Sequence, residues 1–413
     1  MSQSQFENTV NNQMKHLRII IFILSILSIL SILSIFAWFS SCSKKPEGYI
    51  TVTTNAVTDI TENSAKTGGS VTSSGYTIEE CGVCYAESSN PTINDYYTED
   101  SYGTGSFNSS LNGLRSGTTY YVRAYAKTSS GINYGNQVSF TTDYIAPTGA
   151  IKGVFSVSAT KKVWFSKGNL QYRKSTNKWS FAENQYDVVE TDNSLVNVGD
   201  NYENRDIISH FGWGTSGYNH GAIAYQPWNT SRTHSDYYAY GNQLLDLSDR
   251  TGMADWGYNA ITNGGNFTNQ WHTLDWVEWY YLFDTRSTNS GIRYAKACVN
   301  NVNGMILLPD SWNTSYFSLN STNKSSVDYN SNIISVSQWA TLEQHGAVFL
   351  PAVGYRYAFW VRDVKLNCGY WSSSHDTQYN DLAYYMLITD VGLGVYRSDR
   401  EAGRAVRLVR YVE

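Results

Sequence analysis

The chain is poor in charge and in cysteine for its length. Only 16% of its 413 residues are Asp, Glu, Lys or Arg, well under the roughly 25% of an ordinary soluble domain. The formal net charge is −5, so there is no cationic footprint with which to grip nucleic-acid phosphates. Five cysteines in 413 residues are too sparse for a disulfide scaffold. The histidines never fall at a ligand spacing such as H-x-x-x-H, which leaves zinc unsupported by motif. No G-x-S-x-G elbow and no phosphate-cradling glycine loop occurs. No catalytic residue, cofactor or metal is therefore assigned, and the chain is not read as an enzyme. What is plentiful is aromatic: 33 Tyr and 13 Trp bring the aromatic share to 15%. That much apolar surface argues for folded domains over disorder. Surplus Tyr at a surface is also the chemistry of binding.

The N-terminus reads as an address. A basic stretch (Lys15, His16, Arg18) precedes an apolar run from Ile19 to Phe39 broken only by serines, and Phe39-Ser40-Ser41-Cys42 follows. Basic, apolar, then small is the order of a secretory signal. The small-small-Cys ending resembles the lipobox of bacterial lipoproteins, with Phe39 where Leu is usual. The resemblance implies a signal peptide over 1–41, acylation of Cys42, a tether over 42–48, and lipid anchoring at the outer membrane and cell surface. An uncleaved membrane helix is the competing reading of the same run.

From 49 to 142, short alternating runs recur between turn signals, as in a β-sandwich. The longest, Thr119–Ala126, sets Tyr120, Val122, Ala124 and Ala126 on one face and Tyr121, Arg123 and Tyr125 on the other. Leu114-Arg-Ser-Gly-Thr-Thr-Tyr120 resembles the fibronectin type III signature leading into strand F, with Ser116 where Pro is usual. The resemblance implies that Tyr120 is a tyrosine-corner residue and that this domain is a spacer. Cys81 and Cys84 are a C-x-x-C pair by spelling, but on a strand they point to opposite faces, so both are read as structural.

A linker over 143–149 carries one of the six prolines, and 150–413 forms the second domain. Its opening hairpin pairs Val154–Val157 with Lys162–Phe165. One helix is expected from N-cap Thr273 through Trp276, Trp279, Tyr280 and Phe283, and another over 337–344, stopped by Gly346. A buried strand follows at 347–350, then β pattern at 369–374, 383–389 and 404–410. Tyr370-Trp-Ser-Ser-Ser374 and Val406-Arg-Leu-Val-Arg410 resemble the C-type-lectin-like fold, and more closely the major paralogous domain of Fibrobacter and Bacteroidota surface lipoproteins. The expected fold class is thus mostly β: a fibronectin type III-like β-sandwich followed by an α+β C-type-lectin-like domain. Part of that lectin-like group serves as the variable protein of diversity-generating retroelements, which implies diversified exposed positions near the C-terminus. Two departures from related families narrow the chemistry. Gln226-Pro-Trp-Asn229 breaks the calcium-binding pattern of sugar-binding lectins. Cys298 and Cys368 stand in no motif like that of the formylglycine-generating enzymes, and their pairing is left open.

The candidate ligand-binding residues fall in three stretches. Tyr355, Arg356, Tyr357, Phe359, Trp360 and Arg362 are expected on a loop. His375, Asp376, Gln378, Tyr379 and Asp381 form a second loop. Tyr385 and Leu387, with Thr389, are expected on the outward face of a strand whose inward face holds Tyr384, Met386 and Ile388; Tyr396 and Arg397 complete the set. Aromatic anchors with adaptable polar neighbours on a rigid scaffold make a paratope-like surface. Tyr120 and Trp276 are assigned to the scaffold. The expected function is binding of a protein or glycan ligand at the cell surface. A glycan-binding adhesin without diversification and a structural or fimbrial component remain open, and an enzyme would need a pair of carboxylates across a cleft.

Overall fold

The computed structural model describes residues 13–16, 18–23, 48–189 and 202–412. Residues 13–16 and 18–23 are helical; the rest of the expected leader and the expected acylation site Cys42 lie outside the described residues. Among the described residues no helix is long and apolar enough to cross a membrane. The chain divides into two compact units, one ending at Asp143 and one beginning at Tyr144.

The first unit is a β-sandwich of the fibronectin type III kind. β1 (Tyr49–Thr54), β2 (Ser64–Ser74) and β5 (Gly105–Asn112) make one sheet in the order β1-β2-β5. β3 (Glu80–Ala86), β4 (Tyr96–Tyr97), β6 (Thr119–Thr128) and β7 (Gly131–Thr141) make the other, in the order β4-β3-β6-β7. Every pairing is antiparallel. Val71, Leu111, Val83, Val122 and Ala124 meet between the sheets. The Tyr120 hydroxyl accepts the Arg115 N–H at 3.1 Å, the closure expected of a tyrosine corner. Tyr125 departs from the expected outward face and is fully buried. The β6–β7 register slips between Arg123 and Tyr125, and the Tyr125 hydroxyl reaches Glu80 at 2.5 Å and the Thr98 carbonyl at 2.8 Å. Cys81 and Cys84 are buried free thiols, and burial above all pushes the Cys84 thiol up to about 11.

The second unit is also strand-rich. β8 (Ala150–Ser156) and β9 (Lys162–Ser166) form the opening hairpin, followed by β10 (Leu170–Arg173), β11 (Lys178–Phe181) and β12 (Ile207–Ile208). After a long stretch of turns come β13 (His272–Thr273), β14 (Tyr294–Val299), β15 (Val302–Leu307), β16 (Ile333–Ile334) and β17 (Val348–Pro351). The C-terminal part holds β18 (Tyr355–Tyr357), β19 (Trp360–Arg362), β20 (Cys368–His375), β21 (Leu382–Ile388), β22 (Leu393–Asp399) and β23 (Leu408–Tyr411). They assemble as β13-β23-β9-β8, β16-β14-β15-β17, β11-β10-β12, β18-β19 and β20-β21-β22. Cys298 lies in β14 and Cys368 in β20, both as free thiols.

Two helices punctuate the unit. The first, Trp276–Tyr280, is capped by Asp275 and not by Thr273. Asp275 accepts the Glu278 N–H at 2.7 Å, and the Glu278 carboxylate accepts the Asp275 N–H at 3.1 Å, a reciprocal capping box. Thr273 is instead committed to β13, where it pairs with Leu408 and donates its hydroxyl to Asp255 at 2.7 Å. The second helix, Val336–Gln344, ends where Gly346 takes φ +85°. The Gly346 N–H reaches the Glu343 carbonyl at 2.9 Å and the Ala347 N–H the Leu342 carbonyl at 3.1 Å, the Schellman pattern.

Strand β20 and the buried positions of β21 are covered on both faces, whereas β22 is only partly buried. Tyr370, Met386 and Ile388 enter one core with Trp279 and Leu350, whereas Trp371, Ala383 and Tyr385 enter another with Phe211 and Trp256.

Candidate functional site

The stretch 355–363 folds as a hairpin rather than a loop: Tyr355 pairs with Arg362 and Tyr357 with Trp360. Ala358 takes φ +50° at its turn. Alternation along β18 sends Tyr355 and Tyr357 to one side and Arg356 to the other. Arg356, expected among the ligand contacts, is fully buried. Its guanidinium donates to the Ala358 carbonyl at 2.5 Å and the Asn229 carbonyl at 3.3 Å. Its backbone exchanges hydrogen bonds with Gly403 at 2.7 and 2.8 Å. A Cβ at position 403 would lie 2.5 Å from Arg356 Nε, so the close approach requires glycine. Arg356 thus clamps the hairpin, because a buried guanidinium must be held by acceptors wherever it sits.

The clamp leaves three aromatics outside. Tyr357, Phe359 and Trp360 are 38%, 40% and 37% exposed. The Phe359 and Trp360 rings lie 4.7 Å apart. Arg362 stands 5.7 Å from the Trp360 ring and Arg232 5.8 Å from the Tyr357 ring, both within cation–π range.

Tyr385 is a correction. It is 8% exposed, because the face of β21 expected to look outward packs on the second core. Its ring lies 6.1 Å from Trp371 and only 3.4 Å from the Arg404 guanidinium. Arg404 is itself buried, which lowers its pKa, and it donates to the Ser398 hydroxyl at 2.7 Å. Leu387 is half-buried against the same core. On this side Tyr396, half exposed and paired with Tyr385 across the strands, and half-buried Tyr355, 5.7 Å from Arg404, reach the surface.

A second aromatic surface runs along the other face of β21 and β22. Asp376 is fully buried, again against expectation. It accepts the N–H groups of Gln378 at 2.7 Å and Tyr379 at 3.2 Å and pairs with Arg397 at 2.5 Å. Arg397 then lies 5.4 Å from the exposed Tyr379 ring and 5.8 Å from Tyr384. Tyr384 stacks at 5.3 Å on Trp276, which is 40% exposed and so belongs to this surface, not only to the scaffold. Gln378 is exposed in the loop. His375 is half-buried, with Nδ1 2.6 Å from Asp246, and Asp381 accepts the Tyr238 hydroxyl.

Sequence reasoning missed Arg232, Tyr384 and Trp276 as surface residues. A helical signal for Trp276 was present: with the cap at Asp275, Trp276 and Tyr280 share the exposed side while Trp279 and Phe283 turn inward.

No protein-family model matches the chain and no curated protein is similar to it. Solved structures to which it is similar include the sensor domain of the anti-sigma factor RsgI4 from Pseudobacteroides cellulosolvens, at 19% identity and TM-score 0.19, covering 23% of this chain and 96% of that one. The sixth fibronectin type III domain of human fibronectin type III domain containing protein 3 is 22% identical, with TM-score 0.20, covering 26% of this chain and 94% of its own. A fibronectin type III domain of human collagen XX is 18% identical, with TM-score 0.18, covering 23% and 92%. The sandwich itself rests on the strand order and pairing described above.

Proposed function

We propose that this chain is a surface-displayed recognition protein, lipid-anchored through Cys42, in which the fibronectin-like unit is a spacer and the C-terminal unit, lectin-like in fold, holds a protein or glycan ligand. Recognition, not turnover, is the activity. The observation that carries the reading is the exposure of Tyr357, Phe359 and Trp360 on a hairpin whose backbone is fixed by buried Arg356. Three aromatics held outside by a rigid turn lose little entropy on contact, which is how anchor residues dominate interfaces. The same rings can stack on sugar faces or fill a protein pocket. Diversification by a retroelement belongs to this proposal as well; it calls for an adjacent reverse transcriptase and a near-copy of the 3′ coding bases.

The test screens the protein on glycan and protein arrays, then compares the double variant Tyr357→Ala/Trp360→Ala with wild type on whatever binds. Each anchor should contribute about 2 kcal/mol or more, so affinity should fall at least about a thousandfold with the thermal midpoint unchanged. Unaltered affinity in a folded double variant removes the hairpin from the site. Tyr385→Ala separates the two roles: it should lower stability, as expected for a buried aromatic.

A further inference from the structure

His234 begins a short 3-10 turn, His234–Tyr237. Asp399 ends β22, and Glu401 follows two residues later. One ligand atom from each, an imidazole nitrogen and two carboxylate oxygens, lies within 4.8 Å of the other two. His234 Nδ1 stands 2.8 Å from Glu401. Metal–nitrogen and metal–oxygen bonds of about 2.0–2.2 Å place neighbouring ligand atoms about 3.4 Å apart in a tetrahedral shell. The three atoms, no more than 4.8 Å apart, are thus near the spacing a single ion needs.

An ordinary ion pair accounts for only part of this arrangement. The His234 imidazole answers Glu401, whose side chain is 6% exposed. The Asp399 carboxylate acts electrostatically on both His234 and the buried Arg404 guanidinium. Arg400 lies between the two acids in sequence and pairs with neither. It is fully buried, donates to the Gln243 carbonyl at 2.8 Å, and stands 4.5 Å from the Trp213 ring and 5.0 Å from Tyr238. Asp381 adds a third carboxylate to the electrostatic surroundings of His234. The buried guanidinium groups of Arg404 and Arg400 act on Asp399 and Asp381 through space, but Arg404 donates to Ser398 and Arg400 to Gln243, which leaves the oxygens of Asp399 and Glu401 and the imidazole as the donor atoms that converge.

We propose that His234, Asp399 and Glu401 bind one divalent transition-metal ion of the zinc class. Two carboxylates and a neutral imidazole match a double positive charge. The nitrogen donor favours zinc-class ions over calcium, which takes oxygen ligands. The His234 side chain is 43% exposed, so an ion held by three protein ligands keeps a position open to water or to an oxygen donor of a ligand. The ion would tie the turn at His234 to the end of β22, beside Asp381 and the loop carrying Tyr379. Its three ligands are distinct from the hairpin aromatics, although Arg232 beside Tyr357 and Gly403 beside Arg356 lie two residues from His234 and Glu401.

The experiment uses the full chain stripped with chelator and titrated with Zn²⁺ by calorimetry, with Ca²⁺ as the contrast ion. One Zn²⁺ should bind, and Ca²⁺ should not compete. Asp399→Asn and His234→Gln should each weaken Zn²⁺ binding by at least about tenfold with near-ultraviolet dichroism unchanged, whereas His345→Gln, at a ring stacked on Tyr316, should leave it intact. The ligand assignment is overturned by absence of Zn²⁺ binding, or by equal affinity in wild type, Asp399→Asn and His234→Gln. It is equally overturned if only His345→Gln loses the ion.

Discussion

His210 is fully buried, with Nε2 3.0 Å from the Val353 carbonyl. Burial first, then the charge of Arg356, takes its pKa from 6.5 down to about 3. The folded state therefore keeps the ring neutral where the unfolded chain would protonate it. Between those two values the unfolded state binds more protons, so stability falls as pH drops. The loss is at most about 1.4 kcal/mol per pH unit for one such group. Urea midpoints at pH 7 and pH 5 should show wild type losing stability on acidification. The His210→Gln variant should show a shallower slope whatever its absolute stability, although His220, whose pKa burial also lowers, will retain part of it. An identical slope in the two proteins would show that His210 protonates freely in the fold.

At the scale of elements, the helix ends give the next prediction. Gly346 combines φ +85° with a close backbone neighbour: a Cβ there would lie 2.6 Å from Gly153 Cα and 2.7 Å from its N. Gly346→Ala thus adds strain to a clash with backbone, which cannot swing aside. It should cost more than the roughly 1 kcal/mol typical of glycine replacement at a favourable position, read from denaturant midpoints. Asp275→Ala, which removes one capping interaction, should cost about 1 kcal/mol. The same elements explain what could be seen in the sequence. Gly346 as a stop and the buried run at 347–350 were legible because caps and short apolar runs are local. The cap at Asp275 was equally local, since Asp275 and Glu278 stand at capping-box spacing; what the sequence hides is the commitment of Thr273 to β13 by Leu408 and Asp255. Tyr385 failed for a related reason. Period-two alternation separates two faces, but only the distant packing of Phe211, Trp256 and Trp371 decides that both are covered. Tyr357, Phe359 and Trp360 were recognisable by composition, whereas Arg356 in their midst was indistinguishable from a contact. His234 and Glu401, 167 positions apart, show no motif spacing at all.

At the scale of the whole molecule, the boundary after Asp143 carries the last prediction. Every strand from Tyr49 to Thr141 pairs only with strands of the same stretch, and its core, from Ala65 to Phe140, is filled by its own residues. Two sheets of this size enclose one continuous apolar core, enough for an autonomous domain of about 100 residues. The closing contacts are internal too: Gly117 N–H meets the Asp143 carbonyl at 3.1 Å, and Asp143 N–H meets the Thr61 carbonyl at 3.0 Å. Residues 48–143 produced alone should therefore unfold in one cooperative transition, with coincident fluorescence and far-ultraviolet dichroism curves. The aromatic surfaces at Tyr357 and at Trp276 belong entirely to the other unit, so a chain of residues 144–413 should retain the binding found for the full protein. Loss of binding in a folded 144–413 chain would move the recognition surface into the sandwich. A non-cooperative 48–143 would show that the strand ladder between Tyr49 and Thr141 is insufficient to hold the sandwich by itself.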